Sequence, residues 1–145
     1  MGVPVSVLTS PDVLVHNKMI VRSFYDSAIR GDVKIFQSYL HTNFSYCAPK
    51  YLPWGGVTNT PERYLNFIFP QISKVIDFNR FSYESVTAES DRVVALFKVG
   101  VIGRAEVIEI SEHWVIENGK ACSVWNAYFE PIPLLEEILR NKMPI

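Results

Sequence analysis

Two periodicities divide the chain. Up to about residue 75 apolar positions recur every three or four residues, and from Phe78 onward they alternate with polar ones. The first pattern belongs to helices, the second to half-buried strands. Leu14, Ile20, Val21, Phe24 and Ala28 share one helical stripe. Ser10-Pro11-Asp12 supplies its start: a capping hydroxyl, a proline at the first helical position and an acid facing the macrodipole. Gly31 supplies its end. Asp32 caps a short second helix with Val33, Phe36 and Leu40 on one side. "NFSYCAP" reads as a strand ending at Pro49, and "KYLPWGGVTN" as a loop, because two prolines and a Gly-Gly pair continue neither regular element.

Thr60-Pro61-Glu62 repeats the capped start and predicts a third helix, burying Tyr64, Phe67, Ile68, Ile72 and Val75 and kinked at Pro70. Four strands are expected at about 78–88, 91–102, 105–117 and 121–130, with turns at Ser90-Asp91 and Asn118-Gly119. A short helix at about 133–141 closes the chain. Helices gathered first and antiparallel strands gathered last describe an α+β fold, with helices against one face of a curved sheet. The 145 residues suffice for one domain with a single core, about 12–130, and show no internal repeat.

Composition narrows the function classes. Apolar residues make up 48 % and charged residues 20 %, the balance of a soluble globular protein. A net charge of −1 without a basic stripe argues against a nucleic-acid partner, and no apolar run reaches membrane-spanning length. No export signal is expected at the N-terminus. Gly2 with Ser6 matches a short, common acylation pattern. Cys47 and Cys122 have neither metal spacing nor the number for a disulfide framework, so a reduced cytoplasmic protein is expected. His16 and His41 read as surface residues, and no cluster has metal spacing, so no metal or cofactor is expected.

One pair stands out. Glu112 and His113 sit side by side within "ISEHWVIENGKACSVWNAYFE", surrounded by apolar residues. A carboxylate or imidazole there costs free energy unless it is paired, neutralised or at a wet edge. Side chains alternate along a strand, so Ile108, Ile110, Glu112 and Trp114 share one face, and Glu109, Ser111 and His113 the other.

The element order, with "FYDSAIRGDVKIFQSYLHTNFSY" in front, "LPWGG" before the third helix and "W-x-I-x-N-G-K" in the last hairpin, resembles the nuclear-transport-factor-2-like superfamily. Within it, residues 14–130 look most like the ketosteroid-isomerase-related and SnoaL-like polyketide cyclase group. The resemblance implies a cone: a bent, mixed sheet wrapped around a long N-terminal helix, leaving an apolar pocket, with homodimers through the sheet's outer face. His113, Tyr128 and Val124 are expected on that outer face. The family's carboxylate base would fall at Ala48, or at Cys47 if the strand is bulged, and its helix-one tyrosine at Phe24, with Tyr25 about 100° round the helix and facing elsewhere. With both roles missing, the chain departs from a ketosteroid isomerase.

The third role, a polar side chain in the strand before the last turn, falls on Glu112, facing inward with His113 outside. A turn one residue longer would exchange the faces and bring Ser111 inward with Glu109 and His113. Glu112 is thus the candidate acid or base, Tyr46 the candidate hydroxyl donor, and His113 the alternative base. No nucleophile-elbow sequence frames any serine. Aromatic residues beyond what a small core holds are expected to line the pocket. Phe24, Trp54, Phe67 and Phe97 are the candidates from the first two-thirds of the chain. Ile110, Trp114, Trp125 and Phe129 complete the set. Three functions stay open: a cofactor-free isomerase, cyclase or dehydratase acting on an apolar carbonyl compound, a non-catalytic binder of an apolar small molecule, and a dimeric interaction protein.

Overall fold

The computed structural model describes residues 10–141, so the acylation match at Gly2 and Ser6 and the reading of the N-terminus lie outside the described residues. Helix α1 (Pro11–Arg30) starts and stops where the caps dictate. The Ser10 hydroxyl accepts from the Val13 N–H at 3.3 Å, and Gly31 ends the helix at φ 72°, in the left-handed region that glycine adopts without strain. Helix α2 (Val33–Ser38) follows the Asp32 cap. It is shorter than its apolar spacing suggests: Leu40 opens strand β1 (Leu40–Ala48) instead of closing the helix, and the Val33 side chain lies outside the described set. The loop that follows contains a short strand, β2 (Gly56–Thr58), whose pairing to Tyr46–Ala48 the prolines and glycines on either side hide.

The third helix is built in three pieces: α3 (Pro61–Arg63), a π turn (Tyr64–Ile68) and α4 (Phe69–Ser73). Thr60 caps it, accepting from the Arg63 N–H at 3.2 Å. Pro70 has no N–H to give, and the wider turn immediately before it, with the Phe69 N–H reaching back to the Tyr64 carbonyl, is the local answer to that loss. The four-residue spacing of Tyr64, Ile68 and Ile72 then sets the buried side. Phe67, expected inside, is turned out and 50 % exposed, with the Arg63 guanidinium 4.4 Å above its ring.

Strands β3 (Ile76–Glu89), β4 (Arg92–Val101), β5 (Val107–Glu117) and β6 (Lys120–Phe129) lie within about two residues of their expected places. They form a six-stranded sheet in the order β2-β1-β6-β5-β4-β3, antiparallel throughout except for the β1–β6 pair. Asn118 and Gly119, at φ 51° and 74°, form the tight turn between β5 and β6. Helix α5 (Ile132–Arg140) packs against β4 and β5 through Leu134 and Ile138, and its buried Glu137 meets Arg140 at 3.0 Å. The mixed sheet curves around α1, which packs on β3, β4 and β6 through Ile20, Val21, Phe24 and Tyr25.

Register decides which side chains share the interior with α1. Glu117 pairs with Lys120 and Ile116 with Ala121, as a two-residue turn requires, but Val115 pairs with Ser123. Cys122 is therefore an extra residue in β6, a bulge, and everything beyond it is shifted by one. Trp114 faces Val124, Glu112 faces Asn126 and Ile110 faces Tyr128, all on the concave side. Val124 and Tyr128, expected outside, are inside for this reason. Trp125 and Phe129, expected inside, are outside and 48 % and 64 % exposed.

Candidate functional site

Between α1, the third helix and the concave face lies a cavity of about 50 Å³. Eight of its fourteen lining residues are aromatic: Phe24 and Tyr25 from α1, Tyr46 from β1, Tyr64 and Phe69 from the third helix, Phe78 from β3, Phe97 from β4 and Tyr128 from β6. Ala28, Ile72, Ile76, Val99 and Ile110 supply the aliphatic wall. Glu112 is the fourteenth, and among the described residues no other carboxylate and no Lys, Arg or His lines the space. The volume is about a third of the roughly 150 Å³ cavity that takes a benzene ring, so it suits a few waters or one compact chemical group. Ala28, Phe69, Phe78 and Tyr128 are half-buried and mark the side nearest solvent.

Both Glu112 oxygens accept hydrogen bonds. The Tyr25 hydroxyl donates to Oε1 at 2.7 Å, and Asn126 Nδ2 donates to Oε2 at 3.0 Å. Trp114 Nε1 donates to the Tyr25 oxygen at 3.0 Å, which turns the Tyr25 proton towards Glu112. Asn126 Nδ2 also donates to the Tyr46 oxygen at 3.2 Å, leaving the Tyr46 proton free among the described residues. A chain of donors therefore converges on one carboxyl from α1, β5 and β6. Burial pushes the Glu112 pKa above the usual carboxylate value, and the Tyr25 and Asn126 donors pull against it. Burial also pushes Tyr25, Tyr46 and Tyr64 well above the ordinary phenol value, and Glu112 adds to this in each, so these phenols stay neutral. Among the described residues Glu112 is the one carboxyl at this cavity, and its proton affinity is raised above that of an ordinary carboxylate.

The candidates read from the sequence separate into three sets. Glu112, Tyr46, Phe24, Phe97 and Ile110 line the cavity. Trp54 and Trp114 are buried in the core but outside the lining, and Trp114 packs on Phe24 with ring centroids 4.5 Å apart. Phe67, Trp125, Phe129 and His113 lie elsewhere. The His113 ring is on the convex side, stacked on Trp125 at 3.8 Å with Nε2 3.2 Å from the Ser111 hydroxyl, and partial burial holds its pKa below the usual value. The sheet separates it from the cavity.

Tyr25 was expected to face elsewhere. The buried stripe of α1 runs Asn17, Ile20, Val21, Phe24, Tyr25, wide enough to take in both neighbours, because the sheet curls around the helix instead of touching it along one line. Asn126 escaped the sequence reading because its inward phase depends on the Cys122 bulge. Tyr64 and Tyr128 were legible only as core or outer-face residues. Among the described residues, no group of three or more His, Cys, Asp or Glu side chains could hold a metal ion, and no helix is long and apolar enough to cross a membrane.

Neither a protein-family model nor a curated protein matches the sequence. Solved structures do. A nuclear-transport-factor-2-like protein of unknown function from Burkholderia pseudomallei is 20 % identical, with a TM-score of 0.68 over 86 % of this chain and 95 % of that one. TerC, co-crystallised with polyporic acid, is 16 % identical, with a TM-score of 0.71 over 86 % of this chain and 98 % of its own. A candidate isomerase from Rhodopseudomonas palustris is 15 % identical, with a TM-score of 0.66 over 83 % and 93 %. At these identities the likeness shows the fold, which is nuclear-transport-factor-2-like.

Proposed function

We propose that the protein is a cofactor-free acid–base enzyme, an isomerase, cyclase or dehydratase, acting on a small carbonyl-bearing molecule held against Glu112. The observation that carries this reading is a single carboxyl, oriented by two donors, on the wall of an otherwise aromatic and aliphatic cavity. Desolvation raises its proton affinity, and the donors keep the ionised form accessible, so one group can take a proton from carbon and return it. Tyr46, with its proton free, is the donor for a substrate oxygen. TerC, co-crystallised with polyporic acid, and a candidate isomerase share the fold, which is compatible with this chemistry.

The test is hydrogen–deuterium exchange at the α-carbon of small ketones and cyclic enones in D₂O, followed by NMR. The parent protein should accelerate exchange, and Glu112→Gln should lose about two orders of magnitude or more of that acceleration, the scale of general acid–base catalysis. An unchanged rate in the Gln variant would remove Glu112 from the mechanism. A second reading has its own support: among the described residues the cavity lining offers no second carboxylate and no Lys, Arg or His, which suits a binding protein as well as a one-base shuttle. Saturable ligand binding without exchange would favour it.

A further inference from the structure

Among the described residues Glu112 enters no ion pair, and its two hydrogen-bond donors, Tyr25 and Asn126, are neutral. Each of its oxygens keeps a second lone pair, and the side chain lines the cavity. The other polar side chains of the lining, Tyr25, Tyr46, Tyr64 and Tyr128, are phenols, and no Lys, Arg or His joins them. An isolated carboxylate in such surroundings either takes up a proton or is matched by positive charge from outside the chain.

The walls favour the second outcome. Aromatic faces carry the negative side of the ring quadrupole and attract a cation, most strongly where water is excluded. Eight aromatic residues line this space, and the one fixed acid among the described residues of its wall is Glu112. A neutral guest meets the apolar walls but leaves the carboxyl unmatched. An anionic guest meets the same charge as Glu112 and finds no basic side chain to offset it. A small ammonium group satisfies both features, with N–H donors to the free carboxylate lone pairs and its alkyl body against the rings. The volume of about 50 Å³ admits a compact head and leaves a longer body to point past Ala28, Phe69 and Phe78 towards solvent.

We propose that the cavity selects small organic cations, seating an alkylammonium group against Glu112 inside the aromatic ring of walls. This rests on the enzymatic reading only in one respect: it narrows that reading's substrate to a carbonyl compound that also carries an amine. The binding selectivity is tested without turnover.

Isopropylammonium, 2-propanol and isobutyrate share an isopropyl group and differ in charge, and their binding to the full chain can be followed by protein-observed NMR at constant ionic strength. The parent should bind the ammonium at least about tenfold more tightly than the alcohol and bind isobutyrate most weakly, given a charge pair in a low-dielectric site. Glu112→Gln should erase the preference for the ammonium while leaving the alcohol within a few-fold. Phe69→Leu, at the half-buried mouth, should weaken the ammonium about two- to thirty-fold, the range of one cation–π contact, and the alcohol much less. Equal affinity for ammonium and alcohol in the parent, or a preference that survives Glu112→Gln in a folded variant, overturns the proposal. Loss of the preference in a Gln variant that still exchanges α-protons at the parent rate supports the cation site and sinks the enzymatic reading instead.

Discussion

At the scale of the residue, the molecule turns on a carboxyl whose neighbours pull its proton affinity in opposite directions. Burial raises the folded pKa of Glu112 above its unfolded value, so the native state holds the proton more tightly. That contribution to stability is full below the ordinary carboxylate pKa and is lost as pH rises through the raised folded value. The groups facing Glu112 (Tyr25 from α1, Tyr46 from β1, Tyr64 from the π turn and Tyr128 from β6) stay neutral across this window, since burial raises each of them. Glu112→Gln does not titrate, so its stability relative to the parent should grow as pH rises through the same window. Urea midpoints at a series of pH values check this, and a pH-independent difference would mean that Glu112 is wet. Tyr25→Phe removes a donor to Glu112 and orphans the buried Trp114 N–H. It should cost about 1–3 kcal/mol, the penalty of an unmet buried polar group. It should also move the pH midpoint of α-proton exchange upward, since a bond that lowers the Glu112 pKa is gone. The inward turn of Glu112 was legible in the sequence because period-two alternation ties it to Ile110 and Trp114. The role of Tyr25 was not, because a stripe read as one line hides how far a curled sheet reaches around a helix.

At the scale of the element, two local departures from ideal geometry decide what the cavity contains. The bulge at Cys122 places Tyr128 and Asn126 inside and Trp125 and Phe129 outside. An Asn-Gly turn announces a two-residue hairpin, and nothing in "KACSVW" announces the extra residue. The strand was therefore legible in extent and illegible in phase beyond position 122. The π turn before Pro70 does the same to the third helix. The capped start and the proline were plain in the sequence, but ordinary helical phase puts Phe67 indoors, whereas the wider turn leaves Tyr64, Ile68 and Ile72 as the buried line. A pair of substitutions tests that phase. Phe67→Ser should change stability by no more than about 0.5 kcal/mol, as surface changes do, while Ile68→Ala, one residue further on, should cost about 2–5 kcal/mol. Denaturant midpoints of the two variants distinguish the π phase from the α phase, in which both substitutions would be costly.

At the scale of the whole molecule, the gathering of helices before strands was enough to give an α+β fold, because the sheet must find cover for its apolar face and only the preceding helices are long enough to supply it. The convex face is a different matter. Trp125, Phe129 and Val107 project from it with roughly half or more of their surface exposed, and the flat stack of His113 on Trp125 forms a rigid apolar plate. Beside the plate Lys98 pairs with Glu84 at 3.1 Å, and Glu109 lies against Glu84. An exposed apolar patch with a charged rim is the make-up of an interface. The expected occupant is a second copy of the chain, through the same face. Sedimentation equilibrium at micromolar concentration should then give about twice the 16.6 kDa of one chain. Trp125→Glu should halve that mass without unfolding the protein, since the side chain is half-exposed in the monomer and supports nothing in the core. Because the sheet stands between Trp125 and Glu112, the monomeric variant should keep the cavity and its ligand selectivity. A parent protein that sediments as a monomer would count decisively against the dimer, and the plate would then be apolar surface with no partner of its own kind.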